Sequence, residues 1–274
     1  MISSTPPLPT SPETEEVADW AELVTIKTGS LTRGKLSTEV ERNGGASTVV
    51  ADAWVELVSR SELFGEAWSF SVSPTRLTLR RALSEELELP AFFAALGLRE
   101  NIDASHRQLF EQCVSELVRG LLPSSLRLGH PRVQPVPSSL HEALTLLAQG
   151  IDELLLDRPR STDKDIKLDV VAWRSFSDRR GGYLALVGQC ATGADWESKL
   201  DELNVPVLSD HVRWSVPPVR FFATPHIVPV QHFRRHALRA GLLLDRPRLL
   251  ELSRGISLND ETRRQVLRVL EDLY

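Results

Sequence analysis

KDIKLDVVAW, residues 164–173, and YLALVGQCATG, residues 183–193, decide the fold. Residues 168–173 are a near-continuous apolar run with adjacent valines, the composition of a strand covered on both faces. SDRRGG (177–182) is a turn in which Gly181 and Gly182 supply permissive backbone. Residues 183–190 form the return strand. The connection is too short for a parallel crossover, which needs about a dozen residues, so the two strands pair antiparallel. Strand alternation puts Asp169, Val171 and Trp173 on one face, with an acid where the pattern favours an apolar residue. On the return strand Ala185, Val187 and Gln189 share a face, and the small Ala185 leaves room there. A carboxylate and an amide on neighbouring strand ends are oxygen donors for a hard cation beside a phosphate.

Working outward, a helix is expected from about Ala194, with Trp196, Lys199, Leu200 and Leu203 on one stripe. VRFFATPHIV then reads as a strand, QHFRRHALRAG as a basic amphipathic helix closed by Gly241, and GLLLD as a short buried strand. PRLLELSRG is a helix with Pro247 near its first turn, and a last helix starts at Asn259. Upstream, Ser139 and Glu142 stand in capping-box register at the head of a helix running to about Leu155; Ser105 and Gln108 repeat that spacing. PRVQPVP (131–137) is a stiff connector and the expected domain boundary. The expectation is therefore an α/β fold. A mixed central sheet flanked by helices spans 138–256, and a helix covers 257–274. A mixed, mainly helical region over 19–130 precedes them, with AELVTIKTG, AWSFSVS and RLTLRRAL as strand-like runs. Residues 1–18, rich in Pro, Ser, Thr and Glu, read as a mobile tail.

The chain has 274 residues and a net charge of −5, which argues against a uniform nucleic-acid coat. Its charge is uneven: from His211 to Leu250 there are seven arginines against one acid, Asp245, a local basic face suited to phosphate. No apolar run approaches the roughly 18 residues that span a bilayer, and the first residues lack the pattern of a secretory signal. The two cysteines, Cys113 and Cys190, lack zinc-site spacing, so a cytoplasmic, reduced protein is expected. GQCATG lacks the Walker spacing and the Gly-Lys-Ser/Thr ending, which excludes a P-loop NTPase. A Cys190/His226 hydrolase is disfavoured because Cys190 ends an apolar strand rather than opening a helix.

The segment over roughly 138–250 resembles the PD-(D/E)XK nuclease superfamily, in particular its Mrr-like restriction members and relatives in bacterial anti-phage defence. Their Asp-bearing strand follows a helix, and the next strand ends in Glu or Gln, any residue, then Lys. Asp169 in KLDVVAW and Gln189 in GQCATG match; the lysine position falls on Ala191. The resemblance implies a restriction-endonuclease-like core and a magnesium- or manganese-dependent phosphodiester hydrolase. Asp169, Gln189 and Lys199 would be catalytic, with Lys199 taking the place of the missing lysine. Asp169 and Gln189 would hold the metal together with Glu153 or Asp165, Asp163 being a further alternative. Arg234, Arg235, Arg239 and Arg180 would meet DNA. A separate ATPase, helicase or sensor would be the partner, and self-association is left open. The alternative is a catalytically silent subunit of the same fold that binds DNA or a partner as a scaffold.

Overall fold

The computed structural model describes residues 7–80, 84–98, 102–156 and 166–272. The described residues fall into two compact units: those up to Ile102 together with those from Asp260 onward, and those from Asp103 to Asn259. The fold is mixed α/β, with a five-stranded mixed sheet flanked by helices and a largely helical N-terminal part.

The first unit opens with α1 (Thr14–Thr28), started by a capping box between Glu13 and Glu16 and stopped by Gly29 in the left-handed conformation. Two expectations are corrected here. The helix begins inside the stretch read as a tail, and AELVTIKTG is its second half, not a strand. Every residue from Val17 to Thr25 is buried, and a helix covered all round carries no amphipathic stripe to reveal it. Next come β1 (Ser30–Thr32), α2 (Arg33–Arg42), α3 (Ser47–Phe64), β2 (Phe70–Val72), β3 (Arg76–Leu79) and α4 (Glu88–Gly97). The strands form an antiparallel sheet in the order β1-β3-β2. Arg60 of α3 is buried and bonds Asp19 at 2.6 Å, Glu22 at 2.9 Å and Glu56 at 2.9 Å, so its charge is fully engaged inside the unit.

The second unit contains α5 (Ala104–Leu117), β4 (Ser124–Arg127), α6 (Leu140–Gly150), β5 (Leu154–Leu155), β6 (Val170–Trp173), β7 (Ala185–Cys190), α7 (Val205–His211), β8 (Val212–Arg213), β9 (Val219–Ala223), α8 (Val230–Ala240), β10 (Leu242–Leu244) and α9 (Arg246–Ser253). The main sheet runs β10-β9-β7-β6-β4. The two quoted stretches supply its centre: β6 and β7 pair antiparallel with Val170 opposite Gly188, while β7, β9 and β10 are parallel. Phe221 lies so close over Gly188 that any Cβ there would strike its ring. Val171, Val187 and Trp173 pack against Leu140, Leu144 and Leu147 of α6 and Leu208 of α7. Phe222 and Leu243 pack under α8 with Trp196.

Four boundaries differ from expectation. β4 precedes the Pro-rich stretch yet pairs with β6, and Leu128, Val136 and Leu140 share one core. The stretch 131–137 is therefore a loop inside the second unit, and the division falls near Ile102. The last helix, α10 (Asp260–Asp272), belongs with the first unit, where Arg263 makes a two-pronged pair with Glu88 at 2.8 Å. Asp103, not Ser105, caps α5, accepting the His106 N–H at 2.9 Å. Ser139 does cap α6, although that helix ends at Gly150 rather than Leu155. Among the described residues no helix is long and apolar enough to cross a membrane.

Candidate functional site

The site expected at the β6–β7 edge takes a different form. The Asp169 N–H donates to the Gly188 carbonyl at 2.9 Å, so Asp169 and Gln189 lie at adjacent strand ends. Their side chains nevertheless enter separate networks. The Asp169 carbonyl accepts both the Leu128 N–H at 2.7 Å and the Gly129 N–H at 3.1 Å, a two-against-one pattern of the bulge kind. At that point Asp169 Oδ2 accepts the Cys190 N–H at 2.7 Å. Its other oxygen lies against Gly129, where a Cβ would meet Oδ1 at 3.2 Å and would collide with Glu111 Oε2. Glu111, from α5, pairs with Arg127 of β4 at 2.7 Å, and both side chains are largely buried. Asp169, Glu111 and Arg127 thus gather around Cys190. Burial raises the Cys190 thiol pKa well above its ordinary value; Asp169 and Glu111 raise it further, against a smaller opposing effect of Arg127. Cys190 stays protonated and is no nucleophile. The other half of the Cys/His alternative is also engaged, since the His226 ring lies 3.0 Å from the Thr192 carbonyl.

Gln189 is buried, and its amide donates to Glu202 at 2.8 Å. Its oxygen is buried without a hydrogen-bond partner. Ala191, at the lysine position, is buried in the cluster under α8.

Lys199 is engaged within its own turn. It bonds Asp195 at 2.9 Å and holds that carboxyl below the usual range. The expected helix from Ala194 is only a short 3-10 turn, Trp196–Lys199. A fresh helix, α7, starts after the Asn204 cap with proline in its first turn. Proline cannot continue a helix arriving from upstream; Trp196, Leu200 and Leu203 are buried as expected, but from a turn and a loop rather than from one helix face. Trp196 is a core residue, stacked on His226 and edge-on to His236.

Glu153 lies at the wrong end of the hairpin. It accepts the Gly182 N–H at 3.0 Å, the Ser215 N–H at 3.0 Å and the Ser215 hydroxyl at 2.9 Å. The C-terminus of α6 packs over Trp173, the far end of β6 from Asp169. At about 3.3 Å per strand residue, four residues put the two acids some 13 Å apart along the strand. Asp165 and Asp163 lie outside the described residues.

Magnesium asks for several oxygen ligands in near-octahedral order. Asp169 has one oxygen held by a backbone N–H, Gln189 offers a single neutral amide oxygen, and Glu153 stands at the opposite end. Among the described residues no three of His, Cys, Asp and Glu are placed to hold a metal. This donor set does not fit the ion.

Of the expected DNA contacts, Arg239 pairs with Asp201 at 2.5 Å and Arg180 with Asp178 at 2.6 Å. Arg234 and Arg235 are exposed on the outer face of α8 and make no ion pair among the described residues. Other arginines of the basic stretch serve the fold. Arg246 is buried and donates to the Pro225 carbonyl at 2.7 Å. Arg248 lies over the Phe233 ring at 4.4 Å and donates to the Leu243 carbonyl on the edge strand. The reading of the sequence missed Glu111 and Arg127. Each lies within an apolar pattern, and only the sheet brings them to Asp169.

Compared with family models, curated proteins and solved structures, the chain matches none.

Proposed function

We propose that this chain binds nucleic acid without cutting it, using residues 103–259 as a nuclease-like scaffold. One observation carries the reading: the Asp169 carboxylate and the Lys199 ammonium are engaged by the Cys190 N–H and Asp195, which leaves the neutral Gln189 oxygen as a weak donor on its own. What supports the likeness to the nuclease superfamily is layout alone, an aspartate just before a strand that pairs antiparallel with one ending in Gln-Cys. Phosphate contact falls to Arg234 and Arg235, adjacent cations on α8. A separate ATPase or helicase stays the partner class that this likeness implies.

Two measurements test the proposal. Incubation of supercoiled plasmid with the chain in magnesium or manganese is expected to leave it intact. Metal-dependent nicking that disappears in Asp169→Asn would reinstate the endonuclease. In anisotropy titrations with labelled duplex DNA, Arg234→Ala with Arg235→Ala should weaken binding and flatten the salt dependence by up to about 2 in log–log slope. An unchanged slope would remove α8 as the contact.

A further inference from the structure

The first unit holds a second basic feature that owes nothing to the nuclease likeness. Helices α2 and α3 are joined by the short turn 43–46, in the manner of a helix-turn-helix, and the β2–β3 hairpin stands beside them. The hairpin turn is fixed to the start of α2, since the Arg33 N–H donates to the Thr75 carbonyl at 2.9 Å. Between these three elements lies a cleft of about 650 Å³, lined by Arg33, Arg76, Thr32, Ser37, Ser47 and Thr75 among others. Its lining has two cations, four hydroxyls and no carboxylate, although the Ser37 hydroxyl donates to Glu41 at 3.0 Å. Arg33 lies 5.8 Å from the centre of the Trp54 ring, which supports its guanidinium without neutralising it. Arg76 reaches only the Ser30 hydroxyl, at 3.5 Å. Neither arginine makes an ion pair with a carboxylate among the described residues. This contrasts with Arg60 in the same unit, which meets Asp19, Glu22 and Glu56.

We propose that this cleft seats a phosphate of the duplex DNA backbone, with Arg33 and Arg76 as its charged contacts, and that the unit grips DNA without reading its sequence. The first half follows from the two cations of the cleft and the hydroxyls of Thr32, Ser47 and Thr75. The second follows from α3. In a helix-turn-helix the second helix reads bases from the major groove, using Arg or Lys for guanine and Asn or Gln for adenine. The only such residue on α3 is Arg60, and it is buried. The exposed positions of α3 are Ser47, Thr48, Asp52, Val55, Val58, Ser59, Glu62 and Leu63. Two of these are acids, which oppose the phosphates flanking the groove, and none is an Arg, Lys, Asn or Gln, so DNA lies across the cleft rather than along α3.

Anisotropy titrations of the full chain against labelled duplexes of about 20 base pairs, in two unrelated sequences, test this. Both duplexes are expected to bind within about twofold of each other. Arg33→Ala with Arg76→Ala should weaken both by about tenfold at low salt and lower the salt slope by about 2. Arg33→Lys with Arg76→Lys, which keeps the charge, should retain most of the binding and so separates contact from folding. Competition with inorganic phosphate alone should be weak, since one phosphate lacks the neighbouring contacts of a duplex. Unchanged affinity in the alanine pair, loss in the lysine pair equal to that in the alanine pair, or no binding by the wild type overturns the cleft. A preference above about tenfold for one duplex overturns the claim that sequence is not read. Loss confined to the Arg234/Arg235 pair sinks this inference and keeps the α8 reading; loss confined to Arg33/Arg76 does the reverse.

Discussion

The acid corner around Asp169 and the basic cleft around Arg33 put charge to opposite uses. At the corner Asp169 faces a backbone N–H, Glu111 faces Arg127, and Cys190 is kept a thiol between them. In the cleft two guanidinium groups stand among hydroxyls with no carboxylate in the lining. A charged group held within the protein by its own opposite has little left to offer a ligand. One that the fold positions but does not neutralise attracts a counter-charge from outside. The motif-like Asp169 and Lys199 are of the first kind, and Arg33 and Arg76, outside any motif, are of the second.

The sharpest way to break this contrast is to remove the cation of the corner. Arg127→Ala leaves Glu111 buried without its partner and Asp169 beside it, and should cost about 3 to 5 kcal/mol in urea denaturation. Replacing the pair together, Arg127→Met with Glu111→Leu, should recover most of that loss, because neither charge is then stranded. A small effect of Arg127→Ala would mean that the corner is as open to outside ligands as the cleft.

A smaller effect is expected at Asp245, a buried carboxyl that contrasts with both regions. It accepts the Val228 N–H, and burial raises its pKa from 3.8 to about 6. Because the folded state favours the protonated form, its contribution to stability is complete below pH about 4 and is lost as pH rises through about 6. Relative to Asp245→Asn, the wild type should lose about 2 to 3 kcal/mol over that window. Parallel pH profiles of unfolding for the two proteins would show it; parallel curves without divergence would remove it.

The smallest effect belongs to Arg180, exposed and paired with Asp178 two residues away. Arg180→Ala should shift stability by less than about 0.5 kcal/mol, and DNA affinity should not change. A loss of binding there would place DNA on the β6–β7 turn rather than on α8 or the cleft.

The features that sequence reading recovered are local. The β6–β7 hairpin follows from apolar runs and a glycine turn. The Ser139 cap follows from spacing, and α8, β10 and α9 from their caps and prolines. Each is settled by residues a few positions apart. The errors came where remote elements intervene. α1 read as a strand in its second half because it is buried all round. The boundary was put at 131–137 because prolines mark a turn but do not reveal that β4 returns to pair with β6.

The sequence by itself determined that residues 168–190 form an antiparallel hairpin within an α/β sheet, because side-chain period and turn length leave no other pairing. It also determined which residues are acidic, amide or basic at each position. Only the tertiary structure decided what those groups face. The doubled hydrogen bond at Leu128 and Gly129 accompanies Asp169 at Glu111 and the Cys190 N–H, and the hairpin beside α2 brings Arg76 to the cleft that Arg33 lines. A charge acts on whatever lies within a few ångströms, and in a folded chain those neighbours come from elements tens of residues away.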